Sequence, residues 1–176
     1  MQPFLGKPGT DKRALIEQII LEKYNQYYRM AYSYTYNEDD AGDIVQNGAY
    51  KAIRSSHILK NPEFASTWVY RIMLNECFAY RRRPKHISYE NMLEEGKINV
   101  EGTEDAYTDI DLRNAIDTLT KEDKAIIILK YFEDKTLEEI AIILDKNVNT
   151  IKSRLYRSIE KLHRILGVNE GLGGLK

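Results

Sequence analysis

The chain has 176 residues, 43% of them apolar and 30% charged, with 10 glycines, 4 prolines and a formal net charge of −1. That composition supports a packed core, and the lack of alternating β-branched runs excludes a sandwich or barrel, so an all-α fold of two small helical domains is expected. Cys77 stands alone, which excludes an internal disulfide framework and suits a small apolar packing role in a reducing, cytoplasmic setting. Neither the start, Met1 to Gly9, nor any later stretch offers the apolar run of a signal peptide or a membrane span.

Residues 1–11 are expected to form a flexible N-terminus. A first helix is expected from Asp11 or Lys12 through the tyrosine-rich stretch to Tyr36, since Leu15, Ile19, Tyr27 and Met30 recur at helical spacing. Asn37 followed by Glu38, Asp39 and Asp40 is a helix start: a capping amide, then acids at the positive end of the dipole. That second helix runs through Ile44, Val45 and Ile53 to about Arg54. Residues 57–62 are a loop, because Pro62 disfavours helical backbone at Asn61. A third helix covers about 63–83, so that a first domain spans 12–84. Residues 85–108 carry Glu90, Glu94, Glu95, Glu101, Glu104 and Asp105 without apolar periodicity and are expected to be an acidic linker.

A second domain is expected over 109–167. Leu112, Ala115, Ile116 and Leu119 mark one buried helix face. Thr120 with Asp123 caps the next helix, which should bury Ala125, Ile128, Leu129 and Phe132. Thr136 with Glu139 is a second capping box, before Leu137, Ile140, Ala141 and Leu144. Asp145-Lys146-Asn147 makes a three-residue turn, and Val148, Ile151, Leu155, Ile159 and Leu162 form the inner stripe of the last helix. The glycine-rich residues 168–176 are expected to be a flexible tail.

Two short helices joined by about three residues form a helix-turn-helix, which seats its second helix in the major groove. The outward face of that helix carries Asn149, Lys152, Ser153, Tyr156, Arg157 and Lys161, residue types that bond phosphate oxygens and base edges. Its first turn also offers free N–H groups to a phosphate. A second basic cluster, Arg81, Arg82 and Arg83, ends the third helix.

Thr150 to Arg157, following Leu137 to Ala141, resembles region 4 of bacterial sigma-70-family sigma factors of the extracytoplasmic-function class. Asp39 to Gln46 resembles the region 2 helix that docks on the RNA polymerase clamp. Trp68 to Asn75, continuing to Arg83, resembles the helix that meets the promoter minus-10 element. The resemblance runs from about Leu15 to Leu166 in order. It implies core-polymerase contacts, through the β-prime clamp and β flap, with Asp39, Asp40, Asp43, Ile44, Gln46 and Asn47 at the clamp. It implies minus-10 contacts by His57, Asn61, Arg71, Arg81, Arg82 and Arg83. At the minus-35 element it implies Asn149, Thr150, Lys152, Ser153, Tyr156 and Arg157, with Lys130 and Arg154 on phosphates. It further implies an anti-sigma factor partner, membrane-anchored in many cases, and neither a cofactor nor a small-molecule substrate. Gly42 and Asn47-Gly48 depart from the family pattern, and helix-interior glycines cost about 1 kcal/mol each relative to Ala.

The competing readings are a stand-alone helix-turn-helix regulator, a sigma-like adaptor that holds polymerase without opening DNA, and an enzyme acting on nucleic acid. The regulator leaves the first domain's motifs unused, and no coiled-coil heptads offer a dimer. The enzyme fails on its residues: His57, His86 and His163 are isolated, and neither a metal-ligand spacing nor a phosphate-cradling glycine loop occurs.

Overall fold

The computed structural model describes residues 11–82 and 104–167, with side chains over 11–80 and 110–167, and all regular elements among these residues are helical. The first bundle holds α1 (Lys12–Glu22), α2 (Tyr24–Thr35), α3 (Glu38–Arg54) and α4 (Ala65–Arg82). The second holds α5 (Glu104–Asp117), α6 (Lys121–Ile127), a π-helical turn (Ile128–Phe132), α7 (Leu137–Leu144) and α8 (Val148–Leu166). The expected N-terminus, most of the acidic linker and the tail lie outside the described residues.

The first helix expected from the spacing is two helices. Lys23 leaves helical geometry at φ −108° and ψ 12°, and its Nζ donates to Ser66 Oγ at 2.6 Å. The break lets α1 seat Ile16 and Ile20 while α2 seats Tyr27, Met30, Ala31 and Tyr34 in the same core. The helix start at Asn37 is where the sequence places it, with the side chain accepting from the Asp40 N–H at 3.0 Å. Short 3-10 turns fill the expected loop at Ser56–Ile58 and Pro62–Phe64.

The two α3 glycines differ in kind. Gly48 is buried, and a Cβ there would stand 2.3 Å from Met73 Sδ, so its bareness lets α3 and α4 approach. A Cβ on Gly42 would meet nothing within 4 Å. Gly42→Ala is therefore expected to stabilise the chain by about 1 kcal/mol through helix propensity alone, read as a raised thermal midpoint.

In the second bundle α5 begins at Glu104, inside the stretch expected to be linker. Thr120 caps α6, accepting from the Asp123 N–H at 3.2 Å, and its hydroxyl donates to the Asp123 carboxylate at 2.7 Å. The Thr136–Glu139 capping box forms in both directions, at 2.8 and 3.1 Å. Phe132 corrects the expected core. The π-helical turn closes with the Glu133 N–H on the Ile128 carbonyl, at 3.2 Å, which adds a residue to the winding. Ile128 and Leu129 stay buried, whereas Tyr131 and Phe132 are turned out, 57% and 50% exposed.

Candidate nucleic-acid interface

The helix-turn-helix is built from α7, the turn 145–147 and α8. Asp145 takes the left-handed conformation, φ 54° and ψ 51°, where such turns favour glycine. The Lys146 N–H reaches back to the Ala141 carbonyl at 2.9 Å. Asn147 then caps α8 by accepting from the Asn149 N–H at 2.8 Å. Ile151, Leu155 and Leu162 are buried, with Val148 and Ile159 packed beside them, which fixes the rotation of α8. Asn149, Thr150, Lys152, Ser153, Tyr156 and Arg157 consequently share its exposed face. The Arg157 guanidinium lies along the helix on the Ser153 carbonyl, at 3.3 Å.

The two basic residues expected at phosphates lie elsewhere. Arg154 turns inward and pairs with Asp123 at 3.0 Å and Glu122 at 3.6 Å, tying α8 to the start of α6. Lys130 sits half-buried on the π-helical turn, its Nζ 3.4 Å from the Lys135 carbonyl.

On α3, Asp39, Asp43, Gln46 and Asn47 are exposed. Asp40 accepts from the Tyr80 hydroxyl at 2.8 Å, and Glu76 adds a carboxylate across the shallow α3–α4 cleft. Ile44 corrects the expected contact set: it is 6% exposed and belongs to the core. His57 and Asn61 are both exposed in the loop before α4, and the Asn61 side chain caps the turn by accepting from the Glu63 N–H at 3.0 Å. Phe64 beside them, 53% exposed, presents an aromatic face and was not among the residues expected from the sequence. Its signal was an aromatic residue two positions after the Pro62 breaker.

The arginines divide. The Arg71 guanidinium faces the second bundle, donating to the Ile142 and Ile143 carbonyls, with Asp145 at 3.7 Å. Arg81 and Arg82 fall in the last turn of α4, and Arg83 lies outside the described residues. Trp68 packs against the core. Cys77 is buried, as its apolar reading requires, and burial pushes its thiol up to about 12.

Two family models match the sequence: Sigma-70 region 2 over residues 19–86 and Sigma-70, region 4 over residues 109–162. The chain belongs to the sigma-70 family. It is 41% identical over 168 residues to the RNA polymerase sigma factor SigV of Bacillus subtilis, spanning 94% of this chain and 99% of that one. It is 32% identical over 159 residues to the ECF RNA polymerase sigma factor SigW of the same species, 81% and 83% of the two chains. This protein is thus an extracytoplasmic-function sigma factor. Two solved structures share the fold. One is the sigma factor RpoE with the anti-sigma factor NepR from Bartonella quintana (TM-score 0.62, 23% identity, 88% of this chain and 98% of that one). The other is CnrH with the cytosolic domain of CnrY (TM-score 0.63, 20% identity, 90% and 99%).

Sigma factors are not an enzyme class. Among the described residues no His, Cys, Asp and Glu group could hold a metal, and no helix is long and apolar enough to cross a membrane.

Proposed function

We propose that this sigma factor works by a two-point grip on a promoter, with core RNA polymerase joining the points. The exposed polar face of α8 carries the reading. Asn149, Thr150, Lys152, Ser153, Tyr156 and Arg157 take base edges and backbone of the minus-35 element. Asp39, Asp40, Asp43, Gln46 and Asn47 offer an acidic and amide surface to the basic clamp of polymerase. His57 and Asn61 hold a flipped minus-10 base, while Arg71, Arg81, Arg82 and Arg83 neutralise phosphates of the duplex and the opened strand. Binding energy to bases and phosphates, without covalent chemistry, holds the duplex open.

The β flap docks as a helix in the apolar groove between α5, the π-helical turn and the end of α8, where Leu112, Tyr131, Phe132 and Leu166 supply the contact. Lys130 and Arg154 are left as weaker phosphate contacts, because Arg154 has to leave two carboxylates first. An anti-sigma factor, as accompanies RpoE in one of the structural relatives, occupies the aromatic groove of Tyr28, Tyr32 and Phe132 between the bundles. The protein works in the cytoplasm, and a membrane-anchored partner would hold it at the inner surface.

Run-off transcription with purified core polymerase over a genomic fragment library tests this reading. Initiation has to depend on the added protein. In the same assay Arg157→Ala is expected to lower minus-35 selectivity by about 1–3 kcal/mol, and Asp43→Ala to weaken polymerase binding while leaving α8 selectivity intact. Specific DNA binding without polymerase, and no initiation with it, would instead identify a stand-alone regulator.

A further inference from the structure

The two bundles meet through polar groups. Tyr70 of α4 is 1% exposed and points its one hydroxyl proton at two acceptors, Gln26 Oε1 at 3.1 Å and Glu133 Oε2 at 3.2 Å. Glu133 comes from the second bundle, and its side chain is 1% exposed. Its other oxygen, Oε1, has no hydrogen-bond partner, and the cation paired with it, Arg29, stands at 3.7 Å and is itself 59% exposed. One donor therefore faces three acceptor atoms in a dry place. A carboxylate brings no proton to such a set, whereas a carboxylic acid brings one. With a proton on Glu133, the acid donates to the Tyr70 oxygen and the Tyr70 hydroxyl is released to Gln26. Without it, the single hydroxyl proton cannot serve both Gln26 and Glu133, so one more buried oxygen goes unpaired and a carboxylate charge stays buried; separation of the bundles cures both with water.

The charged surroundings do not reverse this. From the first bundle Arg29 favours the ionised form, and Lys23 lies over the Tyr70 ring at 5.9 Å, beside the edge-on Tyr27. From the second, Lys135 sits over the same ring at 5.1 Å and favours the anion, while Asp134 opposes it. Burial outweighs them, and the carboxyl is held above the ordinary glutamate range. The Tyr70 phenol is pushed up as well, by burial first and then by Glu133, so it keeps its proton.

We propose that Glu133 is a proton-operated catch between the bundles: closure places a proton on this carboxyl, and its loss favours separation. The sign follows from linkage. The carboxyl is solvated when the bundles part and raised when they close, so closure is fully supported below the ordinary glutamate range. That support is lost as pH rises through the raised value. Closure matters because the proposed minus-35 and minus-10 contacts lie on separate bundles and have to reach separate promoter elements, whereas here Arg71 touches α7 itself. That consequence rests on the proposed promoter grip; the catch does not.

Single-molecule energy transfer on the full chain, labelled at the exposed Ala14 and Glu160, reads closure directly. The closed-to-open ratio is expected to rise as pH falls through the raised value toward the ordinary glutamate range, by at most about tenfold per unit for one proton. Glu133→Gln supplies an uncharged side chain with its own donor, so it is expected to stay closed throughout with no titration. Tyr70→Phe removes the hydroxyl from both forms, but its bond to the charged carboxylate is the stronger, so the transition is expected to move to higher pH. A flat wild-type ratio, or full pH dependence retained by Glu133→Gln, would overturn the catch. So would an unmoved transition in Tyr70→Phe of wild-type circular dichroism. Because the readout is distance alone, failure here leaves the promoter reading standing.

Discussion

Ile151→Ala is expected to cost about 2–5 kcal/mol and to end minus-35 binding at temperatures the wild type tolerates. Ile151 is 0% exposed, on the inner face of α8 where that helix packs on α6 and α7. The substitution removes three buried carbons and leaves a cavity, and two further observations keep the site from collapsing. Arg154 is pinned one turn of helix away to Asp123 and Glu122, and the Lys161 ammonium donates to the Thr118 carbonyl at 2.7 Å. Both hold α8 at its distance from α5 and α6. Urea unfolding followed by far-ultraviolet circular dichroism measures the loss; a change below about 1 kcal/mol would show that the stripe does not seat α8 as described.

Tyr70→Ala is expected to cost about 3–5 kcal/mol, the range for deleting a large buried ring. Two effects add. The ring packs edge-on to Tyr27, with centroids 5.0 Å apart, and underlies the cations of Lys23 and Lys135. Its hydroxyl is also the donor that Gln26 and Glu133 share. Thermal unfolding should show a lowered midpoint, and near-ultraviolet dichroism should lose part of its tyrosine signal. A variant with native stability would mean that the seam contributes nothing to holding the first bundle together.

What could be read from the sequence was local. The two capping threonines, the turn before Asn147 and the 3.6-residue stripe of α8 each act within a few residues, and the structure has them where the spacing put them. The misses needed partners distant in the chain. The first helix breaks at Lys23, whose ammonium reaches Ser66, 43 residues away. Gly48 read as a weak point in α3, yet it is where the Met73 side chain enters. Phe132 read as core because spacing arguments assume constant winding, and the π-helical turn shifts the phase just before it. The Tyr70–Glu133 contact joins residues 63 apart, and nothing in a run of Glu133-Asp134-Lys135 distinguishes a seam from an ordinary charged turn.

The candidate site divides along the same line. The face of α8 was legible because helix periodicity alone assigns its outside. Ile44 was not, since the same periodicity left it on the border between core and surface until α4 was packed against it. Arg154 shows a further limit: a basic residue on a basic helix looks like a DNA contact until its carboxylates are in view.

The Arg71 contact has a consequence for competition. The carbonyls of Ile142 and Ile143 end α7, where the helix dipole is negative, and the Asp145 carboxylate lies beside them. To the guanidinium this cluster imitates a phosphodiester: two oxygens in reach and net negative potential. Under the proposed promoter grip, a DNA strand arriving at Arg71 displaces an internal mimic. The affinity of DNA for proteins rises in dilute salt because bound phosphates release their condensed cations, and each cation so released leaves the duplex whichever group replaces it. What changes is the other side of the exchange, where the arginine gives up a partner of its own before gaining one. In that proposed role Arg71 adds less net hold on DNA than an arginine with no internal partner would.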